Sequence, residues 1–460
     1  MHGLFVFFFI AMGGLLASNG FPVYPSRRGH LSLASTLPSL GQVSAIKTSP
    51  AALVARLGRA LRFVVDKPQR VQYATAMSAR FAFFLSQSLI ISRLPAMQST
   101  TVSSTSRAAA LDVTAVTAAV MDAIMTDSPE EIGAMIPSVS SQSVLGSDEQ
   151  RTLFAKNFAA IIQVLRKDLS NIEQRIYKMP TDLDIRHPQW QPSAVLSQIR
   201  DYVTDRETVL ARSRKGLEGG LEIREKFESP KYPEYYLRNF HYQTDGWLSG
   251  KSAEIYDYQV ESLFMGTADA MRRQIVPDIM AFVEEKRASG VVVGDIEHLD
   301  VATGTGRFIS QVLENAPMRT TCLDLSPFYL EEAKKLLSRT NSNIKYCEAA
   351  AERMPFADAS FDSISCVYMF HELPHDIRVQ VVSEFARILK PNGRVFFVDS
   401  AQKGEVPYDR VLEGFTIIAH EPYYLDYTQE NLEELFAASG LEVLNKGVWW
   451  VSKSMTFKKT

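Results

Sequence analysis

Among the 460 residues, the run His298-Leu-Asp-Val-Ala-Thr-Gly-Thr-Gly-Arg-Phe308 constrains the fold most. Val291, Val292 and Val293 precede it, and Phe308 to Leu313 follow it with helical character. It therefore reads as a strand, a tight glycine turn and a helix, a unit that leaves a crevice for a nucleotide-like ligand at the strand's carboxyl end. Gly304 and Gly306 lack a Cβ, so the turn can take positive φ and a ligand can approach the backbone. Asp300 ends the strand with a carboxylate beside that turn. Many strand-to-helix turns carry two glycines, so the stretches that follow decide its meaning.

The next strand is Thr320-Thr-Cys-Leu-Asp324, where Asp324 is placed to accept hydrogen bonds from ribose hydroxyls. Pro327 opens a helix whose apolar residues Leu330, Ala333, Leu336 and Leu337 recur at helical spacing. A dinucleotide oxidoreductase would share these features, but its fingerprint needs a third glycine. That position is Ile309 here, which argues against NAD.

Ala349-Ala-Ala-Glu-Arg-Met-Pro-Phe-Ala-Asp-Ala-Ser-Phe-Asp362 comes next, then a strand from Ser363 to Phe370 and His371-Glu-Leu-Pro374. Leu389-Lys-Pro-Asn-Gly-Arg394 precedes a fifth strand, Val395 to Asp399. With these motifs in order, Asp295 to Phe457 resembles the class I S-adenosylmethionine methyltransferases, type 11, and within them the ubiquinone/menaquinone branch. The resemblance implies an α/β fold: a Rossmann-like seven-stranded methyltransferase sheet behind an α-helical amino-terminal region. It also implies S-adenosylmethionine as cofactor, held by Asp300, Ala302, Thr303, Gly304, Thr305, Gly306, Asp324, Leu325, Ala351, Glu352, Met354 and Val367. Two departures stand out. Ala302 occupies a usual glycine position, and Ala350 replaces the usual adenine-contacting aspartate, leaving Glu352 or backbone groups to do that work.

A net charge of −3 gives no indication of a nucleic-acid partner. The three cysteines, Cys322, Cys347 and Cys366, fall on or beside predicted strands, and no His/Cys spacing indicates a metal site. Unpaired thiols fit a reducing compartment. At the amino terminus, Leu4 to Leu16 is an apolar run too short to span a bilayer, which takes about 20 residues. It ends in Ala17-Ser-Asn-Gly-Phe-Pro22, and no Asp or Glu occurs before Asp66. This resembles the bipartite presequence of algae with a complex plastid: a signal peptide over residues 1–20 and a transit-like segment over 21–65. The competing location is the secretory pathway or endomembranes.

A helical region is expected over 66–225. The apolar stretch Phe81 to Ile91 could face a core or touch a membrane surface. In the helix predicted over 148–179, Phe158, Ile162, Leu165, Leu169, Ile172 and Ile176 form a coiled-coil-like seam. A second helix runs from the N-cap Ser193 to Lys215. The two suggest an antiparallel pair, or a homodimer contact through residues 148–215.

Residues 226–290 form an aromatic-rich lead-in, either glue for the helical region or a lid over the site, ending in a helix over Asp269 to Lys286. The methyltransferase-like domain occupies 291–460 and closes with a hairpin of Leu441 to Leu444 and Val448 to Val451. Tyr242, Trp247, His420, Tyr423 and Tyr424 are the candidate substrate contacts. His371, at the end of the fourth strand, is the candidate general base, against a purely structural role. The reading is methyl transfer to a small aromatic or lipophilic metabolite, on oxygen or carbon. A nicotinamide- or flavin-binding oxidoreductase and a catalytically silent scaffold remain as alternatives.

Overall fold

A computed structural model describes residues 67–92, 113–126, 148–184, 186–215, 221–227, 230–239, 246–340, 343–406, 412 and 421–460. The expected targeting segment, Tyr242 and His420 lie outside them. The helical region comprises α1 (Pro68–Ser92), α2 (Val113–Met125), α3 (Asp148–Glu173), α4 (Pro192–Lys215) and α5 (Leu221–Phe227). Helices α6 (Gly250–Leu263), α7 (Ala268–Arg272) and α8 (Val276–Ala288) lead into the sheet. The expected continuous 269–286 helix is broken by a tighter turn at Arg273–Ile275. The break coincides with adjacent buried arginines drawn to different carboxylates: Arg272 to Asp269 at 2.8 Å and Arg273 to Asp168 at 2.7 Å.

The sheet is built from β1 (Glu297–Val301), β2 (Arg319–Asp324), β3 (Ile344–Glu348), β4 (Phe361–Val367), β5 (Leu389–Ser400), β6 (Leu441–Trp449) and β7 (Ser452–Lys459). Its order is β3-β2-β1-β4-β5-β7-β6, with β7 antiparallel to both neighbours. This is the seven-stranded Rossmann-like sheet the sequence implies. Strand order reverses between β1 and β4, which opens a crevice at their carboxyl ends. Flanking that crevice are α9 (Arg307–Leu313) after β1, α10 (Pro327–Leu337) after β2 and α11 (His375–Ile388) after β4.

Local chemistry moves several expected boundaries. Val291–Val293 stay outside β1, with Val293 starting a short 3₁₀ turn. Strand β4 stops at Val367 because Tyr368 has φ +56°, a left-handed conformation no strand can continue. The two apolar runs assigned to a closing hairpin both lie within or just after β6, and the reversal occurs at Trp450–Val451.

Helix α3 ends at Glu173 rather than near Met179. Its seam residues Phe158, Ile162, Leu165, Leu169 and Ile172 are buried within the chain, against α1, α2 and α7. The principal partner of α4 is instead α6, so α3 and α4 are not the expected antiparallel pair. Phe81, Phe84 and Leu85 of α1 are also buried, which is the core-facing reading of that stretch. One apolar core runs from Tyr73 and Phe158 through Phe308 to Phe396 and Trp450. The 225/226 boundary therefore does not separate two cores. No helix among the described residues is long and apolar enough to cross a membrane.

Candidate active site

The turn between β1 and α9 has three left-handed residues: Ala302 (φ +54°), Gly304 (φ +55°) and Gly306 (φ +79°). Ala302 shows why glycine is usual at its place, since an L side chain in that conformation costs about 1–2 kcal/mol. The glycines differ in role. A Cβ on Gly304 would meet nothing nearer than the Ala302 carbonyl oxygen at 4.0 Å, whereas one on Gly306 would lie 3.1–3.2 Å from Leu337 and Ala333. Gly304 thus allows close approach to the backbone, while Gly306 lets α10 pack against the turn.

Asp324 fastens this turn from the end of β2. Its carboxylate accepts the Gly304 and Ser326 backbone N–H groups, each at 2.8 Å. The cap of α10 is Ser326, whose hydroxyl accepts from the Tyr329 N–H, so Asp324 is not the capping residue. Burial pushes Asp324 up to about 6, although these backbone bonds favour its ionised form. Asp300 is likewise raised to about 6 by burial, against hydrogen bonds from Ser365 and Thr303. Beneath it His298 bridges Ser363 and Ser365 at 2.8 and 2.9 Å, and burial lowers its pKa to about 3. A neutral polar ladder therefore supports the floor of the crevice.

Above the turn lies a cleft of about 1050 Å³, its open mouth included. Its wall contains Asp300, Ala302, Thr303, Gly304, Thr305, Asp324, Leu325, Ala351 and Val367, together with Trp247. Trp247, Tyr256 and Tyr329 form an edge-on triangle with ring centroids 5.4–5.6 Å apart. The Thr305 hydroxyl donates to Asp257 on α6 at 2.9 Å, tying the turn to the helix that roofs it. The aromatic lead-in is thus a cover over the cleft. It is also glue, because Tyr258 packs on Phe84 of α1.

Residues 299–393 match a family described as a methyltransferase domain. The chain carries a class I S-adenosylmethionine-dependent methyltransferase domain. It is 38% identical over 122 residues to a demethylmenaquinone methyltransferase of Chlorobaculum parvum, covering 25% of this chain and 47% of that one. To an O-methyltransferase of Aspergillus sclerotiorum it is 31% identical over 151 residues, covering 32% and 54%. To a ubiquinone/menaquinone C-methyltransferase of Rhizobium etli it is 27% identical over 220 residues, covering 46% and 76%. The chain spans about half the length of the first two relatives.

The methyltransferase domain's residues fit its cofactor. Gly304 presents bare backbone to the cleft. An ionised carboxylate has about four acceptor sites, so Asp324 keeps capacity for ribose after its backbone bonds. The buried Tyr329 hydroxyl on the wall has no hydrogen-bond partner among the described residues.

Several expected contacts stand elsewhere. Gly306 is turned to α10. Glu352 accepts the Tyr235 hydroxyl at 2.9 Å, bracing the roof instead of lining the cleft. Met354 is buried, and its N–H donates to Glu384. Tyr423 lies under Arg238, and Tyr424 hydrogen-bonds Ser400 at 2.6 Å.

His371 also lies behind the cleft wall. Its Nδ1 is 2.6 Å from Asp399 Oδ1. Burial alone would lower its pKa, but Asp399, Glu421 and Glu372 outweigh that and raise it to about 10. His371 is not among the residues that line the cleft, so the structure does not bring the candidate general base to the acceptor space. The cleft also contains Tyr235, Tyr256, Asp257, Arg272, Tyr368 and Glu372, none of which was among the expected site residues. Aromatic density over 232–258 pointed to the two tyrosines on the roof; Arg272, Asp257 and Glu372 reach the cleft through tertiary packing alone.

Proposed function

We propose that the protein transfers a methyl group from S-adenosylmethionine to a small aromatic or lipophilic acceptor. The observation that carries this reading is the shared cleft, where the Gly304 turn and Asp324 adjoin an apolar, aromatic-walled space bounded by Tyr368, Met369 and Leu373. The cofactor supplies a methyl group on a positively charged sulfur. As the acceptor oxygen or carbon bonds to the methyl, the sulfonium leaves as a neutral thioether and the acceptor gives up its proton. The protein must therefore align the two partners, exclude bulk water and let that proton pass to a cleft carboxylate or to solvent. Gly304 and Asp324 orient the donor, and Trp247, Tyr256 and Tyr329 close the space above it. Similarity to quinone C-methyltransferases and to an O-methyltransferase supports a flat, lipophilic acceptor without choosing carbon or oxygen.

Calorimetry with S-adenosylhomocysteine and NAD⁺ tests the donor. Binding of the first alone is expected; binding of the dinucleotide, or of neither, would refute the reading. Comparing extracts of cells with and without the gene for a metabolite that shifts by one methyl group would identify the acceptor. We also propose residence in a plastid stroma, supported by the amino-terminal pattern and by Cys322, Cys347 and Cys366, all free thiols.

A further inference from the structure

We infer that His371, Glu372 and Glu421 bind one divalent transition-metal ion at the wall of the cleft. All three side chains are buried, at 8%, 7% and 1% exposure, and one potential ligand atom from each lies within 4.8 Å of the others. His371 Nε2 is 3.6 Å from Glu372 Oε1 and 3.9 Å from Glu421 Oε2. Those separations are too long for hydrogen bonds. They are close to what one shared ion requires: with metal–ligand bonds of about 2.0–2.2 Å, neighbouring ligand atoms lie roughly 3.0–3.6 Å apart.

The imidazole is oriented from outside the ligand set. Asp399 takes Nδ1 at 2.6 Å while its other oxygen accepts the Phe370 N–H at 2.7 Å. The ring is thereby fixed with Nε2 toward the two glutamates, the carboxylate–histidine–metal arrangement in which an outer carboxylate sets the ligand's direction. One imidazole nitrogen with carboxylate oxygens favours Zn²⁺ or Mn²⁺ over Ca²⁺, and the ion competes with a proton for Nε2.

The sequence concealed this set because Glu421 comes from the segment after β5, far from His371 and Glu372. Glu372 also lines the cleft, so the ion would sit within reach of an oxygen on the acceptor. That last consequence rests on the methyl-transfer reading; the ion site itself does not.

The test uses the full chain stripped with EDTA and titrated with Mn²⁺ or Zn²⁺, by calorimetry and, for Mn²⁺, by paramagnetic resonance. One ion per chain is expected, with affinity at least ten-fold weaker in Glu421→Gln and in His371→Gln. S-adenosylhomocysteine affinity and the melting curve serve as folding controls. Failure of the unaltered protein to bind either ion overturns the proposal even if a variant misfolds. So does unchanged metal affinity in folded variants. Metal binding without S-adenosylhomocysteine binding would keep the ion site and remove the donor reading.

Discussion

Replacing Asp324 by asparagine should weaken donor binding almost as much as replacing it by alanine. Each carboxylate oxygen accepts a backbone N–H, from Gly304 and from Ser326, both at 2.8 Å. An amide retains one acceptor and turns its NH₂ toward the other N–H, so one buried donor is left unsatisfied at about 1–3 kcal/mol. Ribose hydroxyls would also exchange a charged acceptor for a neutral one. Charged acceptors contribute about 1.5–3 kcal/mol per bond against about 0.5–1.5 for neutral ones. The difference, about 1–1.5 kcal/mol, is roughly ten-fold in affinity. Asp324→Ala should fall in the ten- to hundred-fold range, and both variants should melt earlier.

The same carboxylate should make binding depend on pH. Burial raises Asp324 to about 6 in the free protein, and ribose hydroxyls favour its ionised form, so the pKa falls on binding. Affinity is then full above pH 6 and lost as pH falls through 6, by about ten-fold at pH 5. Asp300 is also raised to about 6, so the slope remaining in Asp324→Asn belongs to Asp300. Calorimetry with S-adenosylhomocysteine between pH 5 and 7.5 measures both effects. A wild-type affinity that is flat across this range, or an Asn variant that binds like wild type, would refute the reasoning.

Gly304→Val should abolish S-adenosylhomocysteine binding while the protein still folds. Gly306→Val should instead lower the melting temperature sharply, since its side chain meets Leu337 and Ala333. Ala302→Gly should raise stability by about 1 kcal/mol in denaturant titration by relieving the left-handed conformation. Arg80→Ala strips Asp182, Glu261 and Asp269 of a buried partner at 2.6–3.0 Å. It should cost about 3–5 kcal/mol by the same measurement. A fluorescent fusion of residues 1–65 should enter the plastid and Phe21→Ala should stall it; secretion of the unaltered fusion would refute that targeting.

The parts legible in the sequence were those that local pattern encodes. Asp300, the glycine turn and Asp324 stand on consecutive strand ends, and each falls within a short motif. The division of labour between Gly304 and Gly306 was not legible, because it depends on where Leu337 returns against the turn. His371 and the adjacent Glu372 were visible, but the carboxylates that meet them in space were not: Asp399 stands on another strand, and Glu421 follows it in a separate segment. The break after Arg272 was hidden for the same reason, since its charge partners come from other parts of the chain. Short-range periodicity identifies an element, whereas long-range pairing of buried charge decides where that element bends and what its side chains face.

Arg80 on α1 reaches Asp269 across a separation of 189 residues, and Arg307 meets the same carboxylate at 2.6 Å. During synthesis the first helices therefore emerge long before the groups that neutralise them. Contacts of such sequence separation slow folding and leave apolar and charged surface uncovered meanwhile. A nascent chain of this protein should depend on holding chaperones until Asp269 has been made. Cutting between the helices and the sheet would leave two fragments, each exposing half of one interior.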